Sequence, residues 1–244
     1  MTDPAGRYAA KRDALAAQFR AGAGSIGLAK DTSNLFRDRS REPGRRLDVR
    51  EFSEVLHVDR ETGFVEAEGM VPYEALADAC LVYAMMPAVV PQLKTITLGG
   101  AVAGVGIEAS SHRYGLVHES VQTLDVLAAD GRVYACTPDN EHADLFYGFP
   151  NSYGTLGYAL RVKARTVPVK PYVHLEHLPF KDASSYFRIL GEKLQSGEAD
   201  FVDGVVFGPR EMVLTLGRFA DDAPYTSDYT FEHVYYRSLR ERRE

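Results

Sequence analysis

Five glycines punctuate the stretch Pro91–Gly115, PQLKTITLGGAVAGVGIEASSHRYG: Gly99, Gly100, Gly104, Gly106 and Gly115. Lys94 is its only charge before Glu108. Glycine costs backbone entropy, so a chain concentrates it where backbone must turn through positive φ or approach another group closely. Thr97, Ser110 and Ser111 add short hydroxyls beside backbone amides. Small side chains over a run of N–H groups suit an anion, above all a pyrophosphate. The plainer alternative is a tight glycine turn between buried strands.

Known phosphate motifs test the anion reading. A P-loop needs Lys-Ser or Lys-Thr after its glycines, whereas Lys94-Thr95 precedes them here. Gly104-Val105-Gly106-Ile107-Glu108-Ala109 fits the dinucleotide fingerprint G-x-G-x-x-A. Asp125 follows near the acidic position expected roughly 20 residues on. That fingerprint must open a helix, and the SSHRYG after it reads as loop, so the match is weak. His112, Arg113 and Tyr114 could meet a phosphate or the edge of an aromatic cofactor, or serve loop packing alone. Glu108 would repel a phosphate and is expected to turn toward a sugar hydroxyl or a backbone donor.

Two further clusters of small polar residues flank this stretch. Asp31–Phe36, DTSNLF, offers Thr32, Ser33 and Asn34 to backbone or to an anion. Asn151–Gly157, NSYGTLG, supplies Gly154 and Gly157 and reads by itself as an ordinary loop. No G-x-S-x-G elbow, H-E-x-x-H or C-x-x-C occurs, so no catalytic residue is named from motifs. His174 and His177 fall on opposite faces of a strand, which argues against a shared metal, and no metal site is expected. Cys80 and Cys136 are too few and too far apart for a disulfide framework and read as reduced core residues.

The elements that must position these clusters follow from periodicity and turn signals. Helices are predicted over 7–21, after Pro72 through YEALADACLVYA, and over Ala143–Tyr147. Strands are predicted over 25–30, from Leu47, over Val55–Val58 with Phe64–Glu68 as a hairpin, and over Val121–Ala128 with Arg132–Thr137 around Asp130-Gly131. Arg37–Arg46 reads as a basic exposed linker, and Met85-Met86 as core filler in an extended run. YALRVKART is a strand leading to Pro168–Pro171, where the chain changes character. Strand YVHLEHLPF, helix DASSYFRILGEKLQ, then strands DFVDGVVFG and EMVLTLGRF give a β-α-β-β order suited to an antiparallel sheet under one helix. FEHVYYRSLRERRE reads as a final helix.

Composition narrows the classes. The 244 residues are 45% hydrophobic and 25% charged, as an ordinary globular chain is. A formal charge of −6 argues against broad nucleic-acid binding. No apolar core marks MTDPAGRYAAKRD as a signal peptide, and no segment approaches the ~18 apolar residues of a membrane span. The expected location is cytoplasmic, with peripheral membrane contact left open.

TLGG, then GxGIE, then SSHRYG, then the strand pair ESVQTLDVLAADGRV, resemble the central segment of the vanillyl-alcohol-oxidase / p-cresol-methylhydroxylase superfamily. Within it the chain is most similar to the Δ24-sterol reductase branch and its bacterial relatives, from about Ile26 to Phe219. Leu98–Leu116, His142–Gly157 and Ala29–Arg37 carry the likeness most specifically. The resemblance implies an α+β fold: a two-subdomain FAD-binding domain over 1–168, then part of an antiparallel substrate domain over 169–244. It implies FAD held by Thr32, Ser33, Asn34, Thr97, Leu98, Gly99, Gly100, Gly104, Gly106, Ile107, Glu108, Ser110, Ser111, His112, Tyr114, Gly115, Gly154 and Gly157. Loop AKDTSNLFR has no His or Cys, so the flavin is expected to be noncovalent.

The implied reaction is reduction of a carbon–carbon double bond in an apolar, sterol- or isoprenoid-like substrate, with NADPH as electron donor and flavin N5 delivering hydride. An oxidase or dehydrogenase of another substrate, or a non-catalytic FAD binder, remains open. A flavin needs little acid–base machinery from its protein, so the missing triad does not exclude an enzyme. Family members continue beyond residue 244, so a shortened chain of low activity is expected. Its strands carry more apolar residues than one helix covers, which favours association.

Overall fold

The computed structural model describes residues 3–22, 24, 26–30 and 44–227. The Asp3 side chain accepts the Gly6 N–H and caps helix α1, Pro4–Arg20, with proline in its first turn. The helix thus starts a turn earlier than its apolar spacing predicts. Tyr8, Leu15 and Ala16 are its buried residues. Strands β1, Ile26–Ala29, and β2, Arg45–Asp48, pair in parallel. The end of the expected basic linker is therefore strand, and Arg45 donates to the Phe19 carbonyl at 3.0 Å. The DTSNLF loop and the expected last helix lie outside the described residues.

Strands β3, Val55–Asp59, and β4, Phe64–Glu68, form the predicted hairpin. Helix α2, Tyr73–Leu81, follows Pro72, and β5, Met85–Pro87, is the predicted extended run. Strands β6, Val121–Leu127, and β7, Val133–Cys136, pair around the Asp130-Gly131 turn. Helix α5, Ala143–Gly148, precedes the long strand β8, Tyr158–Pro168. The sheet order is β3-β4-β8-β6-β7, with β5 pairing the end of β8, and every pairing is antiparallel. One core packs α2, α5 and the segment 98–102 on this sheet; a second joins α1 to Leu47, Leu127 and Leu160.

The glycine-rich stretch departs from the loop expected of it. Thr97 caps helix α3, Leu98–Gly104, its Oγ1 accepting the Gly100 N–H at 3.3 Å. Ser111–Tyr114 forms one further helical turn, α4, and Val117–Ser120 a 3-10 turn. Helix α3 tolerates its glycines because tertiary packing uses them. A Cβ on Gly99 would sit 2.9 Å from the Gly69 carbonyl and 3.1 Å from Ala159 Cβ. Helix and sheet touch backbone to backbone there, which decides the conformation over intrinsic propensity.

Beyond Pro168 the predicted order is observed: β9, Tyr172–Phe180, α6, Ala183–Ser196, β10, Phe201–Gly208, and β11, Glu211–Ala220. The antiparallel order is β10-β11-β9. Tyr186 of α6 covers Met212, Leu214 and Leu216. On the other face Phe201 and Phe219 pack edge to face, and Val173 is 41% exposed. Among the described residues, helices are combined with two antiparallel sheets and one parallel strand pair.

Candidate functional site

A cavity of about 530 Å³ opens between α3, the β1–β2 pair and the turn before β8. That size falls within the roughly 300–1,000 Å³ of small-molecule and cofactor sites. Of the residues expected to bind, Thr97, Gly99, Gly100, Gly104, Gly106, Glu108, Gly154 and Gly157 line it. Met70, Leu93, Ile96, Phe149 and Tyr158 give it apolar wall, and Lys30 and Arg46 give it positive charge. Cys80 and Cys136 lie elsewhere, as buried free thiols whose pKa burial pushes up to about 11.

Backbone strain gathers at this wall. Val105 (φ 57°) and Tyr153 (φ 51°) line the cavity in the left-handed region, and Asn151 (φ 60°) lies just before Tyr153. For a β-branched residue such as Val105 this conformation is an outlier. Outliers of this kind cluster where a site imposes them. The Tyr153 N–H is held by the Ala103 carbonyl at 3.0 Å, which ties the 151–157 turn to α3. Gly157 turns through φ +138°, and a Cβ there would meet the Leu127 carbonyl at 2.4 Å.

The structure gives several expected contacts other work. Leu98 is buried in the core. The α3 amides are not open to an anion: Leu98 N–H donates to Val71 O and Gly99 N–H to Gly69 O, both at 2.9 Å, and Gly100 N–H to Thr97. Ser110 is buried and donates to Ala88 O, and Ser111 Oγ accepts the Glu108 N–H. The His112 ring lies 3.1 Å from Ala109 O and 3.2 Å from Ala199 O. Arg113 pairs with Asp200 at 2.9 Å, so α4 fastens the β9–β11 sheet to the glycine stretch. Tyr114 lies beneath Arg165, Ile107 is 75% exposed, and a Cβ on Gly115 would strike Glu119. Leu98, Ile107, Ser110, Ser111, His112, Tyr114 and Gly115 do not line the cavity. Thr32, Ser33 and Asn34 lie outside the described residues.

Asp125 corrects the Rossmann alternative. It is buried in β6, accepts from Tyr8 Oη at 2.6 Å and from Arg161 Nε at 3.0 Å, and so holds α1 on the sheet. The G-x-G closes helix α3 rather than following a strand and opening a helix, and only the single turn α4 comes after it. His177 is bonded to Thr215 and His174 is exposed. Lys30, Arg46 and Tyr153 were missed by sequence reasoning. Lys30 directly precedes the DTSNLF loop, a position where a cation could have been singled out.

Glu108 is half-buried at the cavity wall. Burial pushes its carboxyl up to about 7; a backbone bond from Gln92 opposes the shift and the charge of Asp203 adds to it. The backbone donor expected for Glu108 is thus Gln92.

These residues fit a dinucleotide flavin. Gly100 and Gly104 leave room at the wall, Lys30 and Arg46 suit phosphate charge, and the apolar side chains suit a flat ring. Comparison with known proteins agrees. Residues 28–137 match the family model of the FAD binding domain. The chain is 34% identical to Delta(24)-sterol reductase of Arabidopsis thaliana over 181 residues, 71% of this chain and 32% of the relative. It is 32% identical to the Homo sapiens protein of that name over 190 residues, 74% of this chain and 37% of the relative. Cytokinin dehydrogenase 10 of Oryza sativa subsp. japonica matches at 28% over 196 residues, 79% of this chain and 33% of the relative. The chain spans about a third of the length of the curated relatives it matches. Among the described residues no helix is long and apolar enough to cross a membrane.

Proposed function

We propose, from the premise that this chain carries an FAD binding domain and is similar to Delta(24)-sterol reductases, that it takes part in reducing a carbon–carbon double bond of a sterol-like substrate. NADPH is the proposed electron donor, and the FAD is proposed to be noncovalent. The glycine-walled cavity with Lys30 and Arg46 is the observation that carries the reading. When bound, the flavin supplies the hydride chemistry. Gly100 and Gly104 allow close approach, Lys30 and Arg46 offset phosphate charge, and Met70, Leu93 and Phe149 exclude water. We place the FAD-binding domain at 1–168 and the start of a substrate domain at 169.

The test is the spectrum of the purified chain, with added FAD, then NADPH, then a Δ24-sterol. Oxidised-flavin absorbance that NADPH bleaches and the sterol restores is the expected result. A colourless chain that takes up no FAD overturns the reading. The rice match favours a second reading, a dehydrogenase of another substrate. Flavin bleached by a substrate alone, and not by NADPH, would select it.

A further inference from the structure

We propose that Glu108 is the proton donor of this reduction, a role that rests on the function proposed above. Among the described residues lining the cavity Glu108 is the sole acid. Its backbone is pinned on both sides. Glu108 N–H donates to Ser111 Oγ at 2.9 Å, and its carbonyl accepts the Ser111 N–H at 2.8 Å. The next carbonyl, Ala109 O, accepts the Val202 N–H of β10 at 2.8 Å. Two residues before Glu108, the Gly106 carbonyl accepts the Val117 N–H at 3.0 Å, just after the strained Val105. The side chain is therefore delivered to the wall by a rigid corner, at the join between the glycine stretch and the β9–β11 sheet.

The surroundings favour a carboxyl that is still partly protonated at neutral pH. Around Glu108 lie Asp203 on β10 and the buried Tyr73 hydroxyl of α2; Tyr153, Lys30 and Arg46 share its cavity. Among the described residues no Lys or Arg pairs with Glu108, unlike the buried carboxylates of the sheet. Desolvation and the Asp203 charge both favour the neutral acid.

An isolated double bond has no carbonyl to polarise it, so its reduction needs a proton at one carbon as hydride reaches the other. The Glu108 O–H bond breaks and the alkene π pair forms the new C–H bond. A bound, reduced flavin would supply the hydride for the adjacent carbon. Glu108 is left as a carboxylate and regains its proton from water. A catalytic acid works best with a pKa near the operating pH.

Glu108→Gln keeps shape and removes the proton. Two readouts are taken on the FAD-loaded full chain, with Glu108→Asp as the conservative control. The first is the flavin absorbance against pH from 5 to 9. Wild type is expected to show a transition near pH 7, and E108Q none. The second is reoxidation of the NADPH-reduced flavin by a Δ24-sterol. E108Q is expected to slow it more than about 100-fold, as loss of a general acid does. E108D is expected to recover part of the rate. An identical spectral transition in wild type and E108Q, or unchanged reoxidation in E108Q, overturns the proposal while leaving FAD binding intact. Failure of wild type to take up FAD overturns the proposed function instead.

Discussion

Asp125 and Glu108 are both acids removed from water, and they stand in opposite regions of the electrostatic design. Asp125, 4% exposed, accepts from Tyr8 and Arg161, and Arg161 also reaches Glu66 at 2.7 Å. Nearby Glu68 is fully buried, yet it takes Lys11 Nζ at 2.7 Å and the Glu54 N–H at 2.9 Å. These carboxylates are given cations, and they bind α1 to the sheet. Glu108 is given a single backbone donor and a second negative charge. Buried charge that is compensated belongs to the framework; charge left uncompensated beside a cavity marks a site. The two regions should therefore respond to substitution in opposite ways: large losses of stability in one, losses of binding or chemistry in the other.

Asp125→Ala should be the most damaging change, because it leaves the buried Tyr8 hydroxyl without its acceptor and the Arg161 guanidinium with Glu66 alone. Breaking such a buried pair costs about 3–5 kcal/mol. Urea unfolding followed by circular dichroism should show that loss in water. A loss below about 1 kcal/mol, the value of an exposed pair, would remove the distinction between the two regions. Gly99→Ala comes next. Its methyl would press on the Gly69 carbonyl at 2.9 Å and on Ala159 Cβ at 3.1 Å, with no flexible side chain to yield. Overpacking of this kind costs about 1–3 kcal/mol. A stability equal to wild type would show that α3 can lift from β8.

Glu108→Gln should have a smaller effect, and one that changes with pH. The folded carboxyl titrates near 7, against an ordinary value of 4.5. Below 4.5 both folded and unfolded chains hold the proton. Between 4.5 and 7 the unfolded chain releases it and the folded chain does not, so wild-type stability falls as pH rises. The amide removes that slope. At pH 8 the variant should be more stable by on the order of 1–2 kcal/mol, and near pH 4 the two should be equal. Parallel Tm profiles across this range would contradict the raised pKa.

Most of the scaffold was legible because period and turn chemistry agree with tertiary packing. The hairpin of β3 and β4 and the β-α-β-β order after Pro168 lie where alternation placed them. The glycine stretch was misread in its conformation because propensity counts five glycines against a helix. Only the close approach of Gly99 to Gly69 and Ala159, distant in sequence, shows why glycine is needed inside one. The same limit hid the work of α4. Nothing local to SSHRYG says that His112 and Arg113 reach Ala199 and Asp200. Arg46 was hidden differently: a basic run reads as solvated until β1 is known to lie beside it, with Gly27 opposite Arg46.

Gly100→Val sharpens the contrast furthest, because its effect on folding should be the smallest of the four. Gly100 is exposed on the cavity side of α3, and a Cβ there meets only Thr97 Oγ1, at 2.8 Å. Valine gains a few tenths of a kcal/mol of helix propensity over glycine. It disturbs a cap worth about 1 kcal/mol, so the net change in stability should stay within about 1 kcal/mol. Its branched side chain, however, would enter the space that an approaching cofactor needs. FAD titration followed by flavin fluorescence should then show affinity weakened by more than about 100-fold, beyond the ~2.7 kcal/mol that such a loss represents. Loss of uptake in a well-folded G100V, set beside Gly99→Ala, separates two adjacent glycines: one holds the helix to the sheet, the other keeps the cavity open. Normal FAD uptake by G100V would mean that the cofactor does not approach α3, and the cavity would lose its assignment.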